Sequence, residues 1–160
     1  MCIRDRIRRV VTLEFDSSMN IGIYIHSDSK LGSLVVTKDG SDEIAKDIAM
    51  HVSAFNPLCL SQDDLDKDVL EREKAIYQNQ AQDSGKPQDI MDKMVDGKIK
   101  RFLSEVSLIS QNFVKDPDIT VQEYLERGGA TIVEFARLKV GEGIEVEIKD
   151  FAEEVAEQLK

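Results

Sequence analysis

The sequence predicts an α+β fold, a small antiparallel sheet flanked by helices, with an inserted antiparallel helical hairpin and a C-terminal helix. Three observations predict it. Strand-like alternation fills the first forty residues and returns only after residue 130, apolar residues at helical spacing occupy the middle, and Gly, Pro and Asn punctuate the changes of period.

Residues 7–15 are β-rich through Val10, Val11 and Leu13, and residues 20–27 alternate Ile21, Ile23 and Ile25 with Gly22, Tyr24 and His26. Residues 31–38 add Leu34, Val35 and Val36 between Gly32 and the Asp39-Gly40 turn, so the amino-terminal part predicts an antiparallel meander. Ser41 then precedes Asp42 and Glu43, acids suited to the positive end of a helix. Ile44, Ile48, Val52 and Phe55 follow every three or four positions, which makes an amphipathic helix ended by Asn56-Pro57. Residues 61–68 are acidic and hold the next helix start. Val69 and Ile76, and Leu70 and Tyr77, then repeat at seven-residue spacing before the seam fades into Gln78, Asn79, Gln80 and Gln82. Gly85 stops this helix and Pro87 opens another, on which Met91, Val95, Ile99, Phe102 and Val106 form a returning stripe.

Residues 66–82 and 87–106 therefore predict a helical hairpin with arms of about 25 and 30 Å at 1.5 Å per residue. Its tip is too polar for a core and reads as an interaction or spacer element, because a tip surrounded by water cannot preorganise charge for catalysis. Beyond a loop through Phe113 and Pro117, Thr120 caps a short helix over residues 121–127 that Gly128-Gly129 ends. Residues 130–140 resume strand character through Ile132, Val133, Phe135 and Leu138, and Gly141-Glu142-Gly143 is a hinge. The last helix starts at Asp150, with Glu153 completing a capping-box-like pair and Phe151, Val155 and Leu159 forming its apolar stripe. That stripe must meet a surface, in this chain or in a partner.

Composition narrows the function classes. With 21 Lys plus Arg against 31 Asp plus Glu, the net charge of -10 repels a nucleic-acid backbone unless bases cluster, and only the first nine residues lean basic. The absence of Trp and 6% aromatic content leave little for a base-stacking platform. The 41% hydrophobic content supports a packed core, and no apolar run approaches the ~20 residues that span a bilayer. Cys2 and Cys59 lack paired spacing and the start lacks the apolar stretch of a secretory signal, so a reducing cytoplasm is the expected compartment.

Gly141-Glu142-Gly143 does not precede a helix in the dinucleotide-binding manner, and its glutamate opposes a phosphate. Asp64, Asp66 and Asp68 take positions one, three and five of a calcium loop, but Val69 and Ala75 stand where Gly and Glu belong, so the run reads as a solvated helix entrance. His51 lies at the edge of an apolar stripe, where a hydrogen-bonded structural imidazole is the plainer reading than a general base. His26 ends a strand, and Cys59 has no cation beside it to lower its pKa. No metal, cofactor or catalytic residue is predicted.

Several blocks in order carry a family resemblance. They are Ile7-Arg8-Arg9-Val10, Asp47-Ile48-Ala49-Met50-His51-Val52, Ser84-Gly85-Lys86-Pro87, Lys93-Met94-Val95-Asp96-Gly97-Lys98, Phe113-Val114-Lys115-Asp116 and Val140-Gly141-Glu142-Gly143-Ile144. Through them the chain resembles the C-terminal half or more of bacterial translation elongation factor Ts. The resemblance implies a guanine-nucleotide exchange factor that binds elongation factor Tu, GDP-bound and nucleotide-free, and speeds GDP release. It implies a core of two related α+β halves with a helical hairpin inserted in the second. On this mapping residues 7–60 and 108–140 form the core, 61–107 the hairpin and 141–160 the C-terminal module, while residues 1–6 do not resemble the family. Partner contacts would come from Tyr24 and His26, from Phe113 and Val114, and from Phe151, Val155 and Leu159 of the terminal module. Direct nucleic-acid or membrane contact is not expected, and self-association would run through the hairpin.

The family's N-terminal ubiquitin-associated-like helical domain and first core half, with its Thr-Asp-Phe-Val loop, have no counterpart here. The expectation is a truncated form with weak exchange, in which residues 7–15 are the closing strand of an absent sheet and leave an edge open to re-pairing. Two rivals belong to other classes: a small cytosolic hydrolase whose acids and His51 converge in a cleft, and a helical-hairpin adaptor unrelated to translation.

Overall fold

The structure, a computed structural model, describes residues 7, 9–82 and 87–143. Its centre is a three-stranded antiparallel sheet covered on one face by a helix. Strands β1 (Met19–Ile25) and β2 (Leu31–Lys38) form a hairpin, and β5 (Thr131–Lys139) returns from far along the chain to pair with the free side of β2, giving the order β1-β2-β5. The β1–β2 register sets Gly22 opposite Val35 and Tyr24 opposite Ser33, and a bulge between Val36 and Thr37 adjusts the pairing with β5.

Helix α1 (Asp42–Phe55) follows the predicted signals closely. The Ser41 hydroxyl accepts from the Ile44 amide at 3.4 Å, and Asn56 closes the helix in the left-handed region at φ 50°. Gly22 lets α1 lie close on β1: a Cβ there would fall 1.9 Å from the Ala45 carbonyl oxygen. Because side chains alternate along a strand, Tyr24 shares the helix-facing side with Gly22, whereas Ile23 and Ile25 point away and are 58% and 67% exposed. Val35, Ile48, Ala49, Val52, Leu125 and Ile132 fill the space between sheet and helices, and the Ser33 and Ser53 hydroxyls hydrogen-bond there, Ser33 donating to the Ala49 carbonyl.

Residues 9–15 correct the predicted first strand. They pair with no strand, although Leu13 is buried and Arg9 donates to the Arg137 carbonyl of β5 at 3.1 Å. Strand propensity reports fitness for a pleated surface and does not supply a partner. Among the described residues the outer edge of β1, where a preceding meander strand would pair, carries no partner, while β2 is flanked by β1 and β5.

Helices α2 (Lys67–Gln82) and α3 (Gln88–Val106) form the predicted hairpin. Ala81 and Val95 are buried in it, and Lys98 reaches across to donate to Gln80 at 2.6 Å and to sit 5.4 Å from the Tyr77 ring centre. The two ends of the hairpin are tied at its root, where Leu58 N–H donates to Val106 O at 2.9 Å and Leu108 N–H to Cys59 O at 3.0 Å. A single turn of 3-10 helix, Leu108–Ser110, leads back to the core.

The predicted loop through Phe113 and Pro117 is instead a short two-stranded ribbon, β3 (Asn112–Phe113) and β4 (Asp116–Thr120). Thr120 then begins α4 (Val121–Gly128) with the predicted cap. Its hydroxyl accepts from the Glu123 amide at 3.2 Å, the Glu123 carboxylate accepts from the Thr120 amide at 3.1 Å, and Gly129 ends the helix at φ 60°. The predicted terminal helix and its stripe of Phe151, Val155 and Leu159 lie outside the described residues.

Candidate partner-binding site

Two groups of predicted contact residues flank the carboxy-terminal half of α1. On the sheet side, Tyr24 packs its ring against the core and presents its hydroxyl to the exposed His26, with Tyr24 Oη and His26 Nδ1 3.3 Å apart. The strand end holds His26 in place, since its amide donates to the Leu31 carbonyl at 2.8 Å and its own carbonyl accepts from Ser29 at 2.8 Å. The structure thus brings Tyr24 and His26 together as an ordered polar and aromatic pair at the edge of the sheet.

On the other side stands the tip of the β3–β4 ribbon, residues 113–115. Phe113 is only 2% exposed and stacks on Tyr124 of α4, with ring centres 4.1 Å apart and 16° between planes. Within the Phe113-Val114 loop expected to make contact, the Phe113 ring is part of the core and supports the tip from beneath. Val114 is half-buried against the same cluster. Lys115 turns back to α1, its Nζ 2.6 Å from Asp47 Oδ1, while the Tyr124 hydroxyl donates to Asp47 Oδ2 at 2.9 Å. Burial, and then donation to Asp47, pushes the Tyr124 phenol up to about 12, so it remains a proton donor throughout the neutral range.

His51 lies one helical turn beyond Asp47 and is fully buried. Its ring stacks on Phe55, with centres 4.7 Å apart, and lies 6.0 Å from Phe113. The Val114 amide donates to Nδ1 at 3.2 Å, which makes Nδ1 an acceptor and leaves the proton on Nε2, where it is donated to Gln111 Oε1 at 2.9 Å. Gln111 in turn donates its amide to the Glu105 carbonyl. Burial holds the His51 pKa below the ordinary imidazole value, and the Gln111 hydrogen bond opposes that shift more weakly. Both ring nitrogens are therefore committed to protein partners, so His51 has no free nitrogen with which to serve the hydrolase reading as a general base. Cys59 is also buried, which pushes its thiol up and away from nucleophilic use.

Sequence reasoning passed over Asp47, Gln111, Lys115 and Tyr124. The four-residue spacing of Asp47 and His51 on one helix face was the available signal, but their partners come from segments about sixty positions away. Among the described residues no group of three or more His, Cys, Asp or Glu is placed to hold a metal ion. An open cleft of about 780 Å³ lies at the end of the sheet next to His26, lined in part by Ile25, Leu31, Leu138 and Val140, and is mostly apolar.

Comparison with known proteins gives one family across nearly all of the chain. The family model described as Elongation factor TS matches residues 5–142. The chain is 49% identical over 154 residues to the elongation factor Ts of Hahella chejuensis, covering 96% of this chain and 53% of the relative. It is 47% identical over 155 residues to that of Francisella tularensis subsp. novicida, covering 97% of this chain and 52% of the relative. The chain spans about half the length of the curated relatives it matches. A match that runs from the loop before β1 through α1, the hairpin, the β3–β4 ribbon and β5 leaves no described element unaccounted for, and the chain belongs to the elongation factor Ts family.

Proposed function

We propose that this chain acts in translation elongation by binding elongation factor Tu and promoting release of its GDP, and that its exchange activity is weak. The observation that carries the reading is the family match across residues 5–142. The site geometry supports it, because both surface features are braced by hydrogen bonds and packing against the core. His26 beside Tyr24 and the exposed side of Val114 and Lys115 are the contacts assigned within the described residues, with Phe113 as their buried support. Phe151, Val155 and Leu159 are assigned to the terminal module.

Exchange asks for no bond-making by this protein, which is why a non-enzymatic role fits. A partner that binds nucleotide-free elongation factor Tu more tightly than the GDP form must weaken GDP affinity by the same factor, and each ~1.4 kcal/mol of that coupling is worth about tenfold. Weak exchange is proposed for the chain as given, which spans about half the length of its relatives, on the expectation that the family's Thr-Asp-Phe-Val loop reaches the magnesium and phosphate region of the partner. The reading places the protein in the cytoplasm with the translation machinery. Among the described residues no helix is long and apolar enough to cross a membrane. Self-association through the hairpin would rest on Ile76 and Ile90, the large apolar side chains exposed on its arms.

Stopped-flow release of a fluorescent GDP from elongation factor Tu tests the reading. Binding of the nucleotide-free GTPase with slow release supports it, and fast release would refute the importance given to the loop. No retention of nucleotide-free elongation factor Tu by a folded sample would sink the proposal and revive the adaptor reading.

A further inference from the structure

Three contacts hold the residue 113–115 tip to its support, and they differ in what they can specify. The Lys115–Asp47 ion pair joins a mostly buried carboxylate to an ammonium that is half exposed on a flexible stem, so it holds the tip without fixing its direction. The Phe113–Tyr124 stack is strong in area but tolerant of sliding. The Val114 amide hydrogen bond to His51 Nδ1 fixes the direction of the backbone itself, because an N–H must point along the lone pair it meets.

That lone pair is available only in one tautomer, and the tautomer is selected elsewhere. The Glu105 carbonyl, one residue before the end of α3, accepts the Gln111 amide and so turns Gln111 Oε1 toward the imidazole. Oε1 can only accept, which places the ring proton on Nε2 and leaves Nδ1 bare for Val114. The orientation of each group sets the next, from the root of the helical hairpin to the tip of the ribbon.

We propose that His51 is a positioning residue that couples the last turn of the hairpin arm α3 to the pose of the residue 113–115 tip. The inference rests on the reading of that tip as a contact for elongation factor Tu, and it adds a route by which the hairpin influences the contact surface. It also gives the coupling a polarity. A second proton on the ring would set Nδ1–H against Val114 N–H, two donors facing each other, while Nε2–H would keep its bond to Gln111. The break therefore falls at the tip and spares the hairpin root.

The ionisable groups on the elements around the ring are already engaged. Asp47 on α1 is held by Lys115 and Tyr124, Glu105 on α3 pairs with Arg101 at 2.7 Å, and Cys59 beside the hairpin root is a buried thiol. Burial first and Gln111 second govern the proton affinity of His51.

The test starts with the full chain labelled with nitrogen-15. It has two histidines, so imidazole spectra with a His26→Gln variant assign both rings. The expected result is the Nε2–H tautomer for His51, with protonation delayed below the ordinary histidine range and the Val114 amide losing exchange protection as the ring titrates, while the Val35 and Val52 amides keep theirs. An Nδ1–H tautomer, or a Val114 amide that follows those core amides at every pH, would overturn the proposal.

Two variants then separate positioning from bulk. Asn at position 51 can still accept from the Val114 amide but cannot reach Gln111, whereas Gln can reach Gln111 but leaves Val114 unmet. By calorimetry with nucleotide-free elongation factor Tu, His51→Asn is expected within about threefold of the parent affinity and His51→Gln about tenfold weaker, the worth of one directed hydrogen bond. Equal losses in both would assign His51 a purely structural role. Gln111→Leu should deprotect the Val114 amide although Gln111 does not bond to it, and an unchanged amide would refute the coupling. If the parent chain does not bind the GTPase, the functional reading fails, while the tautomer and amide measurements still decide the coupling.

Discussion

At the scale of single residues, the chemistry of the site follows from burial. His51 has a native pKa below the ~6.5 of the unfolded chain, so as pH falls through ~6.5 the unfolded state binds more protons than the folded one. The expected outcome is a stability independent of this residue above ~6.5 and falling below it, by at most ~1.4 kcal/mol per pH unit, until the native value is reached. Urea midpoints of the parent and the His51→Asn variant check this, since the variant should lose that slope just below pH 6.5. Tyr124 has the opposite sign. Its neutral form is favoured in the fold, so its contribution is complete below ~10 and is lost as pH rises through about 12. Tyr124→Phe keeps the stack on Phe113 and removes the donor to Asp47, which retains Lys115. A loss of about 1 kcal/mol in chemical denaturation is expected, and a loss above ~3 kcal/mol would mean that the hydroxyl does more than this one bond.

At the scale of elements, the site depends on how α1 lies on the sheet and on how the ribbon hands over to α4. Gly22→Ala would drive a methyl group into the Ala45 carbonyl, backbone against backbone, where no side chain can rotate away. The expected loss is at least about 3 kcal/mol, measured as a denaturant midpoint, with weakened protection of α1 amides. Thr120→Ala removes the hydroxyl that accepts from Glu123, and its expected cost is about 1 kcal/mol, with fraying of the first turn of α4 in amide exchange. Both helix caps were legible in the sequence, as were β2, α1 and the hairpin arms, because a capping hydroxyl and the amide that donates to it lie three positions apart and an apolar stripe repeats within four. The β3–β4 ribbon was not. One strand has two residues, too few to show a period, and Pro117 in the other reads as a loop signal although it sits where a short ribbon tolerates a missing amide donor.

At the scale of the whole molecule, burial is concentrated between the sheet, α1, α4 and the ribbon, and the hairpin arms contribute little beyond Ala81 and Val95. Hydrogen exchange should therefore open α2 at lower free energy than β2 or α1, and equal protection throughout would show that the arms are stabilised by something other than their mutual contact. Such a division suits a protein whose core sets a contact surface while an extended element reaches outward. The sequence by itself determined the family, the period and ends of most elements, and the placing of His26 at a strand end. All of these are written in neighbouring residues or in their order. Only the tertiary structure decided that residues 9–15 have no strand partner, that Phe113 points inward, and that His51 bonds to residues 60 and 63 positions away. Those outcomes depend on which distant segments meet, and that is settled only when those parts of the chain are packed together.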